Sequence, residues 1–258
     1  MTPAAPLSSS TARLERVDEL QARIHGMQAT RLDTRAVPTH PAFAGLLPGG
    51  SLREGTVVEA RGSTTLVMAL LATPSASGRW VAVVGMPEFG VEAAARFGID
   101  LDRLVLVPEP GRQWLPVVAA LADVIPVVAV RPTERVAPAE ASRLAARLRE
   151  RGAVLIAAGA WPGSDASLEV EASEWHGLGV GHGLLDEREV VVSAAGRGSF
   201  VKRRRSRLRL PDRSLGFAAM AEAGAARPAG VLSSSEAAPS AGGPGLAPVL
   251  HGEFRRPA

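Results

Sequence analysis

The sequence predicts an α/β protein: a mainly parallel sheet flanked by helices, extended by antiparallel strands and preceded by an N-terminal helix. Between Thr56 and Ala158, short and almost wholly apolar segments alternate with helical patterns. This is typical of a parallel sheet covered on both faces. After Gly159, apolar residues alternate with polar ones and the connections are rich in glycine, which favours antiparallel strands. A separate amphipathic pattern lies near the N-terminus.

The first predicted element is a helix over residues 11–28. A loop containing prolines and glycines follows at 36–50. Because an amphipathic helix set apart by a loop usually docks on a neighbouring domain or a partner, its apolar stripe is a candidate partner contact. The stripe consists of Leu14, Val17, Leu20, Ile24 and Met27, and the first four are the predicted contact residues.

Strands and helices then alternate along the chain. The predicted parallel strands are 56–60, 80–84, 104–107, 124–130 and 154–158. The helices between them are 66–71, 91–97, 113–122 and 139–151. Pro126 cannot donate a hydrogen bond to a neighbouring strand, so it indicates that the fourth strand is an edge or contains a bulge. The antiparallel extension is predicted at 168–178, 189–194 and 200–210.

These patterns divide the chain into three parts. Residues 1–42 hold the N-terminal helix and its linker, and residues 43–212 form the core. Residues 213–258 are dominated by Ala, Gly, Ser and Pro, a composition that predicts a disordered tail because it supplies too little apolar surface to bury.

Composition excludes several functional classes. The chain has 258 residues, 46% of them apolar, and no cysteine, which excludes disulfides, thiolate metal sites and cysteine nucleophiles. The net charge is +3 and the pI is 10.6. Lys202 is the only lysine, so nearly all basic residues are arginines. Codon bias explains this richness in arginine, and only the position of particular arginines could indicate nucleic-acid binding. No apolar stretch is long enough to span a bilayer and no signal peptide is evident, so we expect a cytoplasmic protein.

Two motifs carry a family resemblance. Gly49 to Glu59 reads GGSLREGTVVE, a glycine-rich approach to a first strand, and Phe97 to Leu104 reads FGIDLDRL, a lead into a third strand. Together with the order of elements, they make the chain from Phe43 to Pro211 resemble the core of RecA. The resemblance implies a RecA-like fold.

A comparison with the RecA motifs indicates that this chain lacks the residues that bind and hydrolyse a nucleotide. A phosphate-binding loop needs Gly-x-x-x-x-Gly-Lys-Ser/Thr, whereas this chain has only Gly62, Ser63, Thr64 and Thr65 at that point and no lysine nearby. Met86 stands where RecA has the glutamate that orients water. The fourth strand ends in Val130 and Arg131, without the magnesium-binding aspartate. We therefore expect no enzyme activity and no cofactor.

Gly62 to Thr65 leaves two interpretations open. The segment is either a capped helix start or a weak anion site formed by a helix N-terminus. Capping is the favoured interpretation.

A RecA-like core without catalytic residues resembles the ImuA-type accessory proteins of the bacterial mutasome, particularly the actinobacterial form. That resemblance implies a scaffold in damage-induced translesion synthesis, associated with the nucleoid after DNA damage. Its partners would be an ImuB-like Y-family adaptor and, through it, an error-prone C-family polymerase and the sliding clamp. The alternatives are a division inhibitor similar to SulA, and a residual RecA-type ATPase or DNA-binding protein.

The strongest local charge feature is a basic strand near residue 205. On a strand, alternate residues share a face, so the arginines at odd positions form a row that could contact a nucleic-acid backbone without reading bases. The alternative is an edge strand protected from aggregation by charge. The candidate DNA contacts are Lys202, Arg203, Arg205, Arg207 and Arg209.

The other candidates are weak. Five histidines are scattered without metal-ligand spacing, and His176 and His182 lie in a glycine-rich stretch that indicates a turn. No serine has a nucleophile-elbow pattern. Trp161, next to a proline in a short loop, either anchors a partner or packs against its own sheet; the second is the favoured interpretation.

Overall fold

A computed structural model describes residues 35–178, 183–196, 203–214 and 216–220. The predicted N-terminal helix lies outside the described residues, and so do its candidate contacts Leu14, Val17, Leu20 and Ile24. Lys202 also lies outside them, as do residues 221–258 of the predicted tail.

The described chain forms a small two-stranded sheet and a large nine-stranded one. The small sheet pairs β1 (Ala36–Val37) with β2 (Leu52–Arg53). The large sheet begins with five strands: β3 (Val57–Arg61), β4 (Val81–Val84), β5 (Leu104–Val107), β6 (Val127–Val130) and β7 (Val154–Ala157). The α-helices between these strands are α1 (Thr64–Ala76), α2 (Val91–Arg96), α3 (Trp114–Ala122) and α4 (Pro138–Arg151). The later strands are β8 (Ala166–Leu178), β9 (Gly183–Gly196), β10 (Arg204–Arg209) and β11 (Ala218–Ala219).

The order of strands across the large sheet is β11-β10-β9-β8-β3-β7-β6-β4-β5. The six strands from β8 to β5 are parallel to one another, while β9, β10 and β11 add antiparallel pairings. The predicted α/β class, with a mainly parallel sheet flanked by helices and extended by antiparallel strands, is confirmed. This is the architecture that the RecA resemblance implies.

Alternate residues of the parallel strands pack into two apolar cores, one on each face of the sheet. Val57 of β3 packs with residues of α3 and α4, whereas Val58 and Ala60 pack with α1 and α2. Helix α1 is buried along most of its length, and Phe43, Leu46 and Leu47 belong to the same apolar core. Each fully buried Leu or Val side chain contributes about 1.5–3 kcal/mol relative to exposure.

The fourth parallel strand differs from the expectation based on Pro126. β6 is a central strand, paired on both sides with β4 and β7, so the predicted edge or bulge is wrong. The strand begins one residue after the proline, and no ladder N–H is therefore needed at that position. The Pro126 carbonyl instead accepts a hydrogen bond from the Val154 N–H at 2.8 Å.

The antiparallel end of the sheet continues past residue 213, where the predicted tail begins. After a turn in which Asp212 accepts hydrogen bonds from the Ser214 and Gly216 amides, both at 2.9 Å, β11 pairs with the end of β10. The Phe217 ring packs between His40, Phe43 and Phe97, with ring centroids 4.8, 6.4 and 5.7 Å away. This aromatic cluster joins both ends of the described chain to α2.

Candidate functional site at the carboxyl edge of the sheet

The connection between β3 and α1 is too short to wrap a phosphate. Only Gly62 and Ser63 separate the last residue of the strand from the first residue of the helix. Gly62 has a φ of 83° and a side chain there would approach the Val170 carbonyl oxygen at 3.2 Å, so glycine is needed to turn the chain beside β8. A phosphate-binding loop requires several more residues, whose amides surround the anion.

Two arginines from distant parts of the chain reach the N-terminus of α1. Arg188 of β9 donates a hydrogen bond to the Ser63 hydroxyl at 3.1 Å, and Arg131, after β6, donates to the Thr64 hydroxyl at 3.4 Å. Ser63 has the extended backbone of an N-cap residue but makes no side-chain capping hydrogen bond. The favoured capping interpretation is therefore wrong in its detail, because the hydroxyl is directed to Arg188.

Arg188 is held by its cross-strand partner on β8. It lies opposite Trp175 in the register, and its guanidinium carbon is 5.6 Å from the centroid of the Trp175 ring, a cation–π contact. Its Nε is inaccessible to solvent and has no hydrogen-bond acceptor among the described residues. Burial lowers the pKa of the Arg188 guanidinium from its usual value. Within the described part of the chain, no carboxylate forms an ion pair with it.

The loop after β4 contains a glutamate, but an arginine neutralises it. Met86, at the position aligned with the RecA glutamate, is 2% exposed. Glu88, two residues further on, forms an ion pair with Arg131. A backbone hydrogen bond, together with Arg131, lowers the pKa of Glu88. Arg131 follows β6 at the place where RecA has the acidic residue that holds magnesium. Here that place carries a cation, which pairs with Glu88.

A buried carboxylate organises the neighbouring loop. Glu59 of β3 is 7% exposed. Its Oε1 accepts hydrogen bonds from the Trp161 backbone N–H at 3.0 Å and from the Ser164 hydroxyl at 2.8 Å. Its Oε2 accepts from the Ser167 hydroxyl at 3.1 Å and lies 3.3 Å from Arg61 Nε. Sequence reasoning missed this role, since the donors lie more than 100 positions away.

Trp161 is part of the core. Its side chain is 3% exposed and packs edge-to-face against Trp114, with ring centroids 6.3 Å apart. The hypothesis that it anchors a partner is therefore corrected in favour of the alternative, packing within its own domain. Neither a loop position nor an adjacent proline distinguishes a buried tryptophan from an exposed one.

The arginine row consists of Arg203, just before β10, and Arg205, Arg207 and Arg209 of β10. It is exposed, as the alternation predicts, but acidic residues of β8 and β9 accompany it. Arg203 and Arg205 both pair with Glu171, the latter at 2.9 Å from Nε to Oε2. Arg209 pairs with Glu187 at 2.6 Å and with Glu189 at 3.9 Å. Arg207 lines a shallow hollow with Glu174 and Glu189. The row is thus a mixed surface of both charges.

The described residues hold neither a metal-binding cluster nor a membrane-spanning helix. They contain no group of three or more His, Asp or Glu side chains arranged to hold a metal ion. None of their helices combines the length and apolar character that a membrane crossing requires.

The parallel half of the domain is similar to a known family. Residues 45–163 match the model of the MT3502 N-terminal domain. The matched segment contains all five strands from β3 to β7 and the short connection at Gly62 and Ser63. It ends before β8, so Arg188 and the arginine row lie outside it.

One curated relative and one solved structure add to this match. The uncharacterized protein Rv3395c of Mycobacterium tuberculosis is 36% identical over 127 residues, which are 48% of this chain. The aligned region is 62% of that relative, so the chain spans less than two thirds of its length. The crystal structure of flagellar accessory protein FlaH from Methanocaldococcus jannaschii has a TM-score of 0.44 at 12% identity, covering 67% of this chain and 92% of the other.

Proposed function

We propose that this chain is a non-catalytic, RecA-like accessory protein of translesion synthesis that acts as a scaffold through protein–protein contacts. The observation that carries the proposal is the two-residue connection between β3 and α1. A RecA-like core with that connection has no loop to hold the phosphates of a nucleotide. A domain that keeps its sheet and both cores without this loop is best explained by selection on its surfaces.

Two further observations support the absence of catalysis. Arg188 and Arg131 bind the hydroxyls at the start of α1, where a nucleotide-binding protein would place a lysine and a magnesium ligand. Glu88, the carboxylate after β4, forms an ion pair with Arg131. Both observations support a non-catalytic role, because phosphoryl transfer needs a lysine, a magnesium ligand and a group that orients the nucleophile.

The assignment to translesion synthesis rests on the resemblance to ImuA-type proteins. The mycobacterial origin of the curated relative supports it, because the resemblance is to the actinobacterial form. On this proposal, the partners are an ImuB-like Y-family adaptor and, through it, an error-prone C-family polymerase and the sliding clamp. Direct contact with DNA is secondary, since Glu171, Glu187 and Glu189 pair with the arginines of β10.

The decisive experiment is an affinity purification of the full chain from DNA-damaged and undamaged cells, followed by mass spectrometry. We expect recovery of a Y-family-like adaptor, enriched after damage. Recovery of the division GTPase instead would favour the SulA-like alternative. ATP hydrolysis above that of buffer, stimulated by single-stranded DNA, would favour a residual RecA-type ATPase. Either result overturns the proposal.

A further inference from the structure

Helix α2 and the β8–β9 hairpin enclose an open groove of about 400 Å³. Ala93 of α2 and the adjoining Phe97 form one wall, Trp175 and Leu185 of the hairpin form the other, and Pro211 and Thr65 complete the lining. Trp175 is 47% exposed and Leu185 is 51% exposed. Large apolar side chains exposed together around a concave surface mark binding sites more often than isolated ones do.

The hairpin projects beyond the rest of the sheet. After Glu169, β8 no longer pairs with β3, and among the described residues only β9 continues beside it. Leu178, further along the same hairpin, is 65% exposed. The hairpin therefore carries a further exposed apolar side chain beyond those that line the groove.

One aromatic ring in each wall is held in place by a neighbouring side chain. The Phe97 ring stacks on Phe217 with an interplanar angle of 25°, and the Trp175 ring is covered on one face by the Arg188 guanidinium. Rings already held in place lose little freedom on binding, which favours affinity.

The charge beside the groove indicates what the partner carries. Arg188 has a buried Nε without an acceptor and no carboxylate partner among the described residues. The N-terminus of α1, which bears a partial positive charge, lies at the same end through Thr65. The rim pair of Arg96 and Glu92, 3.5 Å apart, adds no net charge. Arg188 is thus a cation beside the groove that no carboxylate of the described residues pairs with, and it is complementary to a carboxylate of a ligand.

We propose that this groove docks an acidic amphipathic segment of a partner protein. Its apolar side chains would pack between Phe97, Trp175 and Leu185, and a carboxylate beside them would pair with Arg188. The inference rests on the proposed scaffold function, because the groove would be the surface through which the scaffold binds its partner. A nucleotide is disfavoured because Arg188 already occupies the Ser63 hydroxyl and the connection there is two residues long.

Tryptophan fluorescence can report on this groove directly. Trp114 and Trp161 are buried at 6% and 3% exposure, so replacing the other exposed tryptophan, Trp80→Phe, leaves Trp175 as the exposed reporter. The probes are two short synthetic peptides without tryptophan: one alternates Leu and Asp, and its matched control alternates Leu and Arg. We expect the Leu/Asp peptide to change the Trp175 emission saturably, with a dissociation constant in the micromolar to millimolar range, and the Leu/Arg peptide to give no saturable change.

Four variants locate the binding. Leu185→Asp and Arg188→Gln should each weaken binding of the Leu/Asp peptide about tenfold or more, because one removes an anchor and repels the peptide and the other removes the charge partner. Leu101→Asp, at a leucine of similar 45% exposure before β5, and Arg143→Gln on α4 are the matched controls and should bind as the parent does. Circular dichroism verifies that each variant is folded.

Three results would overturn the inference: no saturable binding of the Leu/Asp peptide, equal binding of both peptides, or equal losses in the groove and control variants. Displacement of the peptide by ADP would identify the groove as a nucleotide site and would overturn it as well. Since no adaptor is present in this assay, the groove can fail while the adaptor is still recovered from cells. Conversely, the groove can bind the peptide while the adaptor is absent.

Discussion

The guanidinium of Arg188 donates a hydrogen bond to the Ser63 hydroxyl at 3.1 Å, at the N-terminus of α1. A helix N-terminus carries a partial positive charge and is suited to an anion, yet here the chain places its own cation beside it. The guanidinium is retained because Trp175 covers it and the serine oxygen accepts its hydrogen bond. This arrangement supports the proposal of a non-catalytic domain more strongly than any single missing residue does.

Restoring a lysine alone should not restore ATP hydrolysis. We expect Ser63→Lys to release no more phosphate than the parent chain, because the connection still lacks the amides that surround the β- and γ-phosphates. The measurement is phosphate release from ATP and magnesium with and without single-stranded DNA. Turnover in the parent chain above buffer, absent from an EDTA control, would contradict the non-catalytic proposal.

Glu59 should be the most costly carboxylate of this region to remove. Glu59→Ala removes the acceptor of the Trp161 N–H and of the Ser164 and Ser167 hydroxyls. We expect a loss of about 3 kcal/mol in the free energy of unfolding. Urea denaturation measures it. The matched control is Glu174→Ala, an exposed glutamate on β8, where a change within about 0.5 kcal/mol is expected. Equal effects at both positions would show that the buried network does not stabilise the domain.

The arginine row of β10 should bind single-stranded DNA weakly until its acidic partners are removed. Glu171→Gln frees Arg203 and Arg205 from their shared carboxylate. We therefore expect tighter binding and a steeper salt dependence, by about 0.7 in the log–log slope for each arginine that then contacts a phosphate. Fluorescence anisotropy of a labelled oligonucleotide over a salt series measures both quantities.

The controls for this experiment lie on the same strand and on α4. Replacing Arg203, Arg205 and Arg207 together with alanine should abolish the gain, whereas Glu150→Gln on α4 should leave affinity unchanged. If Glu171→Gln binds no more tightly than the parent chain, the row does not contact DNA and serves as a charged, solvated surface.

The sequence predicted the elements of the parallel sheet because their signal is local. An apolar run such as Leu104–Val107 between helical patterns identifies a strand without knowledge of its neighbours, and the structure has that strand at the same residues. The position of a strand within the sheet is a different matter. Pro126 suggested that β6 is an edge strand, because a proline lacks the N–H that a central strand donates. The sequence does not show that the strand begins only after the proline.

The candidate site was only half predictable for a related reason. The shortened connection at Gly62 and Ser63 is contiguous and is visible in the sequence. The side chains that bond to it are not visible in the sequence, since Arg188 lies 125 positions from Ser63 and Arg131 lies 67 positions from Thr64. Likewise, alternation placed Arg203 and Arg205 on an exposed face, but only the pairing of β8, β9 and β10 brings Glu171 to them.

His40 should make the contact between the two ends of the described chain sensitive to mild acid. Its Nδ1 accepts a hydrogen bond from the Ala42 N–H at 3.2 Å, and its ring packs edge-on against Phe217. Burial lowers the pKa of His40 from 6.5, while the charge of Asp212 opposes this shift. The folded chain therefore binds the proton less readily than the unfolded chain, and stability should fall as the pH drops below 6.5. The penalty is fully developed once the pH lies below the folded pKa.

Thermal unfolding at pH 7.5, 6.5 and 5.5 tests this effect by comparing the parent chain with His40→Asn. Asparagine keeps a side-chain acceptor for the Ala42 N–H but does not titrate, so the melting temperature of the variant should fall less between the highest and lowest pH. Asp212 does not titrate in this pH range. Desolvation raises its pKa, but the hydrogen bonds from Ser214 and Gly216 outweigh that effect, so the pKa is lowered from 3.8. Parallel pH profiles for the two proteins would mean that proton binding at His40 is the same in the folded and unfolded states.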